Sequence, residues 1–317
     1  MKTFIRFTLV SVLSVVFISS CNDKKEKTLA IGYIPIAECA QLYVAQEMGY
    51  FKKHGVNIEL KPMAGGANIL SGLASNSVDV GFSNVVSLVL HVSNGNEYVS
   101  VFGGTYESKF HRNHALLVMR DNLKDDIKST LQGSTISVNT FRNIEELMVK
   151  RYLASVGLDK GDYEIVERPF PRMLSALEAN EVTVASIVEP FITIAATGDS
   201  LGRFVYLDNH YLSNSDYSLV ATYVSSKSAL SSKSEELKGF IAAMNEATDY
   251  INSNELETRK IIGNHTKIPK DLLPKIGLSE FRKDFDDSDL EKIISWMVSE
   301  GFVESEKTLS VERYSQN

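Results

Sequence analysis

The sequence predicts an α/β fold of two βαβ lobes joined by a hinge, with a cleft between them. Two observations carry that expectation. From Thr28 onward, short apolar runs alternate with amphipathic stretches of helical spacing, and the order strand, helix, strand, helix, strand occurs twice.

In the first round, residues 29–33 (LAIGY) read as a buried strand. Ala40, Tyr43, Val44 and Met48 recur at helical spacing, which makes 40–48 a helix. Gly49 and Gly55 then punctuate this helix and the helical turn that follows. Residues 56–60 form the next strand, 69–74 a helix, 78–82 a strand and 85–91 a helix. The second round runs through a strand at 134–138, a helix at 145–156 stopped by Gly157, and a strand at 163–166. It continues with a helix at 173–179, a strand at 182–188 and a helix opening at 191–196. Strands separated by helices pair in parallel through right-handed crossovers, so each round of roughly 85–90 residues builds one lobe. After a strand at 217–221 the chain is expected to be mainly helical, at 235–252, 257–263 and 287–300, packed back on the first lobe. Chain crossings near 110–113 and 203–216 are the candidate hinges. One lobe is therefore 28–111 plus 216–317, and the other 112–215.

The start of the chain has its own logic. Lys2 and Arg6 introduce an apolar and small-residue stretch from Phe7 to Ile18, followed by Ser19-Ser20-Cys21. That is the layout of a secretory signal over residues 1–20, too short for a membrane span of roughly 20 apolar residues. Ile18-Ser19-Ser20-Cys21 resembles the lipobox of bacterial lipoproteins, in which cleavage precedes a cysteine that then carries acyl chains such as palmitate. Residues 21–27 read as a polar tether between that anchor and the folded body.

Composition narrows the partners. The 33 Lys and Arg fall to 31 without Lys2 and Arg6, against 40 Asp and Glu, a net of −9. Such a balance argues against nucleic acid or an anionic membrane surface as partner. Of the 2 cysteines only Cys39 lies beyond the lipobox, so the core must be stable without a disulfide.

Four ordered pieces are more specific. They are Ile31-Gly32-Tyr33-Ile34-Pro35 leading through Ala40–Ala45 to Gly49-Tyr50-Phe51-Lys52-Lys53-His54-Gly55; Gly65-Gly66; Leu73-Ala74-Ser75-Asn76-Ser77-Val78-Asp79-Val80-Gly81; and Val188-Glu189-Pro190-Phe191. Together the pieces resemble the NMT1/THI5-like group of type II periplasmic binding proteins, which includes binders of alkanesulfonates, taurine, nitrate and thiamine pyrimidine precursors. The resemblance covers essentially the whole chain after the tether. It implies a monomeric, lipid-anchored extracytoplasmic protein that captures a small molecule and delivers it to an ABC permease and its ATPase. It implies no cofactor and no metal. Asp79 reads equally well as a turn residue, and Tyr33, Tyr50 and Phe51 as core.

In open α/β sheets, ligands sit beyond the carboxyl ends of the strands. That rule selects Ile36, Ala37 and Glu38 after the first strand, and Gly65 and Gly66 after the second, where missing side chains permit close backbone approach. Ser83 and Asn84 follow the third, placed also to cap a helix. The second lobe offers Asn139, Thr140, Phe141 and Glu189, and the return crossing Asp216 and Tyr217. Glu189 reads also as a cap or surface partner, and Asp216 as a turn residue. Carboxylates at Glu38, Glu189 and Asp216 suit a nitrogenous, heteroaromatic ligand such as a thiamine pyrimidine precursor; Arg112, Arg142 and His114 are the counterweights that a sulfonate or nitrate would need. Glu189→Ala and Asn84→Ala are expected to weaken binding with little change in melting temperature.

Two other classes remain open. A sensing lipoprotein docked on a membrane receptor would share fold and site. A thiamine-pyrimidine synthase-like enzyme would need a cysteine-rich iron segment that this sequence lacks. His111-Arg112-Asn113-His114 reads as a hinge or surface element rather than a metal site.

Overall fold

The structure is a computed structural model that describes residues 28–197, 200, 202–208, 218–266, 268–304 and 309–314. The chain opens with β1 (Thr28–Tyr33), α1 (Ala40–Glu47), α2 (Tyr50–Lys53), β2 (Asn57–Pro62), α3 (Gly66–Ala74), β3 (Val80–Asn84), α4 (Val85–Ser93) and β4 (Tyr98–Glu107). It continues with β5 (His114–Met119), α5 (Ile127–Leu131), β6 (Thr135–Val138), α6 (Ile144–Ser155), β7 (Glu164–Glu167), α7 (Phe170–Glu178), β8 (Val184–Val188), α8 (Phe191–Ala195) and β9 (Phe204–Asp208). The last stretch holds β10 (Ser218–Ser226), α9 (Lys227–Ser232), α10 (Ser234–Ser253), α11 (Glu255–Thr266), β11 (Glu280–Phe281), α12 (Asp287–Ser299) and β12 (Glu312–Arg313).

The strands form two sheets. The first runs β11-β4-β10-β3-β1-β2, with β12 also on β4; the second runs β7-β6-β8-β5-β9. Each contains the expected parallel trio, β2-β1-β3 and β7-β6-β8, made by helical crossovers. Beside each trio lies an antiparallel strand, β10 against β3 and β5 against β8. Strands β3 and β8 are buried throughout, and β8 (VASIV) reads as an apolar run. Edge strands alternate: β2 is partly exposed and ends at Pro62, where a missing N–H costs no ladder bond.

Helix stops follow the glycines. Gly49 and Gly55 take φ of 71° and 70°, a left-handed conformation that costs a residue with a Cβ. Helices α10 and α11 pack on α1, and α12 packs on α4 and β10, so the C-terminal helices do lie back on the first sheet.

Several expectations need correction. Strands β4, β5 and β9 were not legible. Within β4 a Cβ on Gly104 would lie 2.0 Å from the Ala221 carbonyl oxygen, so this glycine is what lets β4 and β10 approach. The strand read at 78–82 is shifted to Val80–Asn84, which puts Ser83 and Asn84 inside it rather than after it. Strand β10 continues to Ser226, five residues beyond its expected end. Residues 204–208, expected in the second crossing, pair with β5 instead. The first crossing, 108–113, does join the two sheets.

Candidate functional site

Loops at the carboxyl ends of β1, β3, β6 and β8 converge from the two sheets. The small cavity between them is walled by Ile34, Ile36, Glu38, Phe82 and Asn84 from one side and by His114, Asn139, Asn143, Glu145 and Phe170 from the other. Its volume is about 20 Å³, room for roughly one water. Among the described residues no lysine or arginine lines it.

Four buried ionisable groups meet here, three lining the cavity from its two sides and Glu107 bonded to His114. Glu107 ends β4, His114 opens β5, Glu145 lies in the first turn of α6, and Glu38 sits in the turn after β1. His114 Nδ1 lies 2.5 Å from Glu107 Oε2, and its Nε2 lies 3.0 Å from Glu145 Oε1 and 3.7 Å from Glu38 Oε1. Burial alone would lower the imidazole; the three carboxylates, Glu107 foremost, outweigh it and hold His114 well above its ordinary value, protonated. Both ring N–H groups then donate, one to Glu107 and one to Glu145. Glu107 Oε1 also accepts the N–H of Asn113 and of His114, and the Ser186 hydroxyl donates to Glu145. Burial first, then the neighbouring Glu145 and Glu107, pushes Glu38 up to about 7, against the pull of His114. Glu38 Oε1 and both polar atoms of the Asn113 side chain are buried without a well-formed hydrogen bond among the described residues.

Two helices point their N-termini at the cleft. Asn84 caps α4 by accepting Ser87 N–H at 2.9 Å, and Asn143 caps α6 by accepting Glu146 N–H at 3.0 Å. The same Asn84 Oδ1 accepts Ile144 N–H, 3.2 Å away on the facing helix. These amides, which could otherwise hold an anion, are spent on the chain's own side chains.

The expected site residues divide. Ile36 and Glu38 line the cavity, while Ala37 N–H donates across to the Glu189 carbonyl at 3.2 Å. Gly65 and Gly66 do permit close approach, to protein rather than to open space. A Cβ on Gly65 would lie 2.9 Å from Thr140 Cγ2, and one on Gly66 2.7 Å from Asn84 Nδ2. Ser83 is buried, its hydroxyl on the Asn84 carbonyl, behind the cleft wall. Asn139 lines the cavity and accepts from Asn143 Nδ2 at 2.5 Å. Thr140 Oγ1 is buried without a partner among the described residues, and Phe141 is exposed.

Glu189 lies apart from the cavity. Its carboxylate accepts Gly277 N–H at 3.0 Å, Thr193 N–H at 3.0 Å and the Thr193 hydroxyl at 2.8 Å, tying α8 to the first-sheet side. Of the expected counterweights, Arg112 donates to the Lys109 carbonyl and Arg142 to the Phe302 carbonyl, and neither lines the cavity. His114, read as part of a hinge or surface element, is 1% exposed. Cys21, Asp216 and Tyr217 lie outside the described residues. Among the described residues no group of His, Cys, Asp or Glu is arranged to hold a metal ion, and no helix is long and apolar enough to cross a membrane.

Sequence reasoning named His114 only as a counterweight for an anion, and missed Glu107, Glu145, Asn143 and Phe170. Asn143 and Glu146 carry a legible signal, a cap residue three before a glutamate at a helix start. The other four depend on strands and pairings that only the fold supplies.

Comparison with known proteins places this geometry. The model of the NMT1-like family matches residues 22–264. The nitrate import ATP-binding protein NrtC of Synechocystis sp. is 26% identical over 209 residues, 59% of this chain and 30% of that protein. The bicarbonate-binding protein CmpA of Synechococcus elongatus is 36% identical over 67 residues, 20% of this chain and 15% of that one. The chain thus spans about a third or less of the length of these relatives. The alkanesulfonate-binding protein SsuA from Xanthomonas axonopodis pv. citri, bound to MOPS, superposes with a TM-score of 0.72 at 15% identity, over 90% of this chain and 98% of that one. The likeness shows the fold, that of type II periplasmic binding proteins.

Proposed function

The chain belongs to the NMT1-like family, and from that premise we propose that it is an extracytoplasmic solute-binding protein that holds a small nitrogenous molecule between two lobes and delivers it to an ABC permease and its ATPase. The observation that carries the ligand class is the buried set Glu38, Glu145 and His114 lining the cleft, backed by Glu107 on His114, with no lysine or arginine lining it among the described residues. Carboxylates accept; they suit N–H donors. Apolar neighbours Ile34, Ile36, Phe82 and Phe170 suit a flat or apolar body attached to those donors, as in an aminopyrimidine.

The lobes follow the two sheets, 28–111 with 216–317 against 112–215, hinged where the chain crosses between them. A cavity of about 20 Å³ admits a solute only if the lobes part, so binding couples to hinge motion. Residues 1–20 act as the export signal and Cys21 as the lipid anchor, with the body a monomer outside the cytoplasm.

A second reading, an oxyanion ligand, is favoured by the names of the nitrate and bicarbonate relatives and by the two helix N-termini at the cleft. Against it stand the amides of Ser87, Ile144 and Glu146, already committed to Asn84 and Asn143.

Thermal unfolding against aminopyrimidines, thiamine, amines, taurine, alkanesulfonates, nitrate and bicarbonate separates the two. Ligand at about 100 times its dissociation constant adds roughly 2.7 kcal/mol, several degrees in melting temperature. A shift confined to nitrogenous compounds supports the first reading, and one confined to oxyanions the second. No shift with any compound counts against both.

A further inference from the structure

Resting on that reading, we infer that Glu38 makes the cleft select a cationic nitrogen, such as an ammonium group, over neutral and anionic solutes. The argument is one of charge and valence. The His114 imidazolium spends both N–H groups, on Glu107 at 2.5 Å and Glu145 at 3.0 Å. Those two carboxylates already exceed its charge by one. Glu38 brings a third negative charge, 3.7 Å from Nε2, with its Oε1 lacking a well-formed hydrogen bond among the described residues and 4% of its surface exposed. A buried excess of negative charge must be met by a proton or by a cation. The buried Asn113 amide beside Glu38 interacts with it but is neutral, so it offsets none of that charge. An ammonium group carries three N–H donors and can serve the Glu38 carboxylate.

The other groups facing Glu38 do not supply the missing charge. Cys39 and Tyr223 are pushed by burial well above their ordinary values and stay neutral. Glu145 and Glu107 add to the negative charge rather than offsetting it. Proton and cation therefore compete for one carboxylate. Because Glu38 titrates at about 7, cation affinity weakens as pH falls below that value, approaching tenfold per pH unit, and is flat above it.

The test uses the chain's single tryptophan. Trp296 on α12 lies 4.2 Å from the Arg151 guanidinium on α6, so its emission reports contact between the two sheets' helices. The protein is titrated with methylammonium, benzylammonium, benzyl alcohol and nitrate between pH 5 and pH 8. The expected result is an emission change with an ammonium compound, none with benzyl alcohol or nitrate, and the pH profile above. Glu38→Gln removes the response by at least about a hundredfold, a loss of roughly 2.7 kcal/mol, at unchanged circular dichroism. Should that variant fail to fold, Glu38→Asp and the wild-type pH profile decide instead. Equal response to benzyl alcohol, or undiminished ammonium binding by Glu38→Gln, overturns the inference. A response to nitrate alone overturns it and leaves solute binding standing; silence toward every probe overturns both.

Discussion

The side-chain oxygen of Asn84 accepts the backbone N–H of Ile144 at 3.2 Å while also capping its own helix at Ser87. One amide thus holds the first turns of α4 and α6, which pack on opposite sheets, and the cleft between the lobes is stitched at a residue that also determines a helix end.

Asn84→Ala therefore costs stability, contrary to what sequence alone led us to expect. Loss of a helix cap costs about 1 kcal/mol, and the Ile144 amide loses its acceptor as well. Asn84→Asp keeps both acceptors and is predicted to retain most of that stability. Urea unfolding of the two variants checks the difference.

Glu189→Ala is also predicted to destabilise, by about 2 kcal/mol, because it leaves the buried Thr193 N–H and the partly buried Gly277 N–H without their acceptor. Its effect on solute affinity is indirect, through the tie between α8 and the first-sheet side. A stability loss larger than the affinity loss in one titration series checks this.

The buried quartet sets the pH dependence of stability. Glu38 titrates at about 7 in the folded chain against 4.5 ordinarily, so the folded chain keeps a proton that the unfolded chain releases. Its contribution is complete below pH 4.5 and is lost as pH rises to about 7, a change of about 3 kcal/mol at most. His114 continues the trend: its contribution is complete below pH 6.5 and is lost only as pH rises through its raised folded value. Glu38→Gln is predicted to abolish the first limb and keep the second, as read from denaturant midpoints between pH 4 and pH 9.

Gly65→Ala acts on closure rather than folding. Gly65 has φ of −175°, extended backbone that any residue adopts, so the added methyl is not strained locally. It would meet Thr140 at 2.9 Å and Asn139 at 3.2 Å on the other side of the cleft. The predicted outcome is roughly tenfold weaker solute binding at a near-normal melting temperature, with a larger radius of gyration in solution scattering.

Arg151→Ala loosens the contact of α6 with α12. Arg151 stacks on Trp296 and Lys150 lies 4.8 Å from the Phe302 ring, two cation–π contacts worth about 1 kcal/mol each. Loss of the first is predicted to shift Trp296 emission and weaken solute affinity about fivefold.

Much of the fold was legible because it is written in periodicity. The parallel trios and their helices each bury a face or a run of their own, as with Leu29-Ala30-Ile31 or Val184–Val188. What was hidden depends on partners distant in sequence. Strand β4 carries Gly104 where β10 lies against it. His114 looks exposed in a polar stretch until Glu107, seven residues earlier, and Glu145 from another helix enclose it. The cleft loops were found by the strand-end rule, but which of their side chains face the cavity was not: Glu38 does, whereas Glu189 turns to Gly277.

Hydrogen exchange with and without a stabilising solute tests the central claim most directly. The account predicts slowed exchange in residues 34–39 and 139–146 together, since the solute touches both lobes at once. Protection confined to one of these segments, or found only elsewhere on the surface, would contradict it.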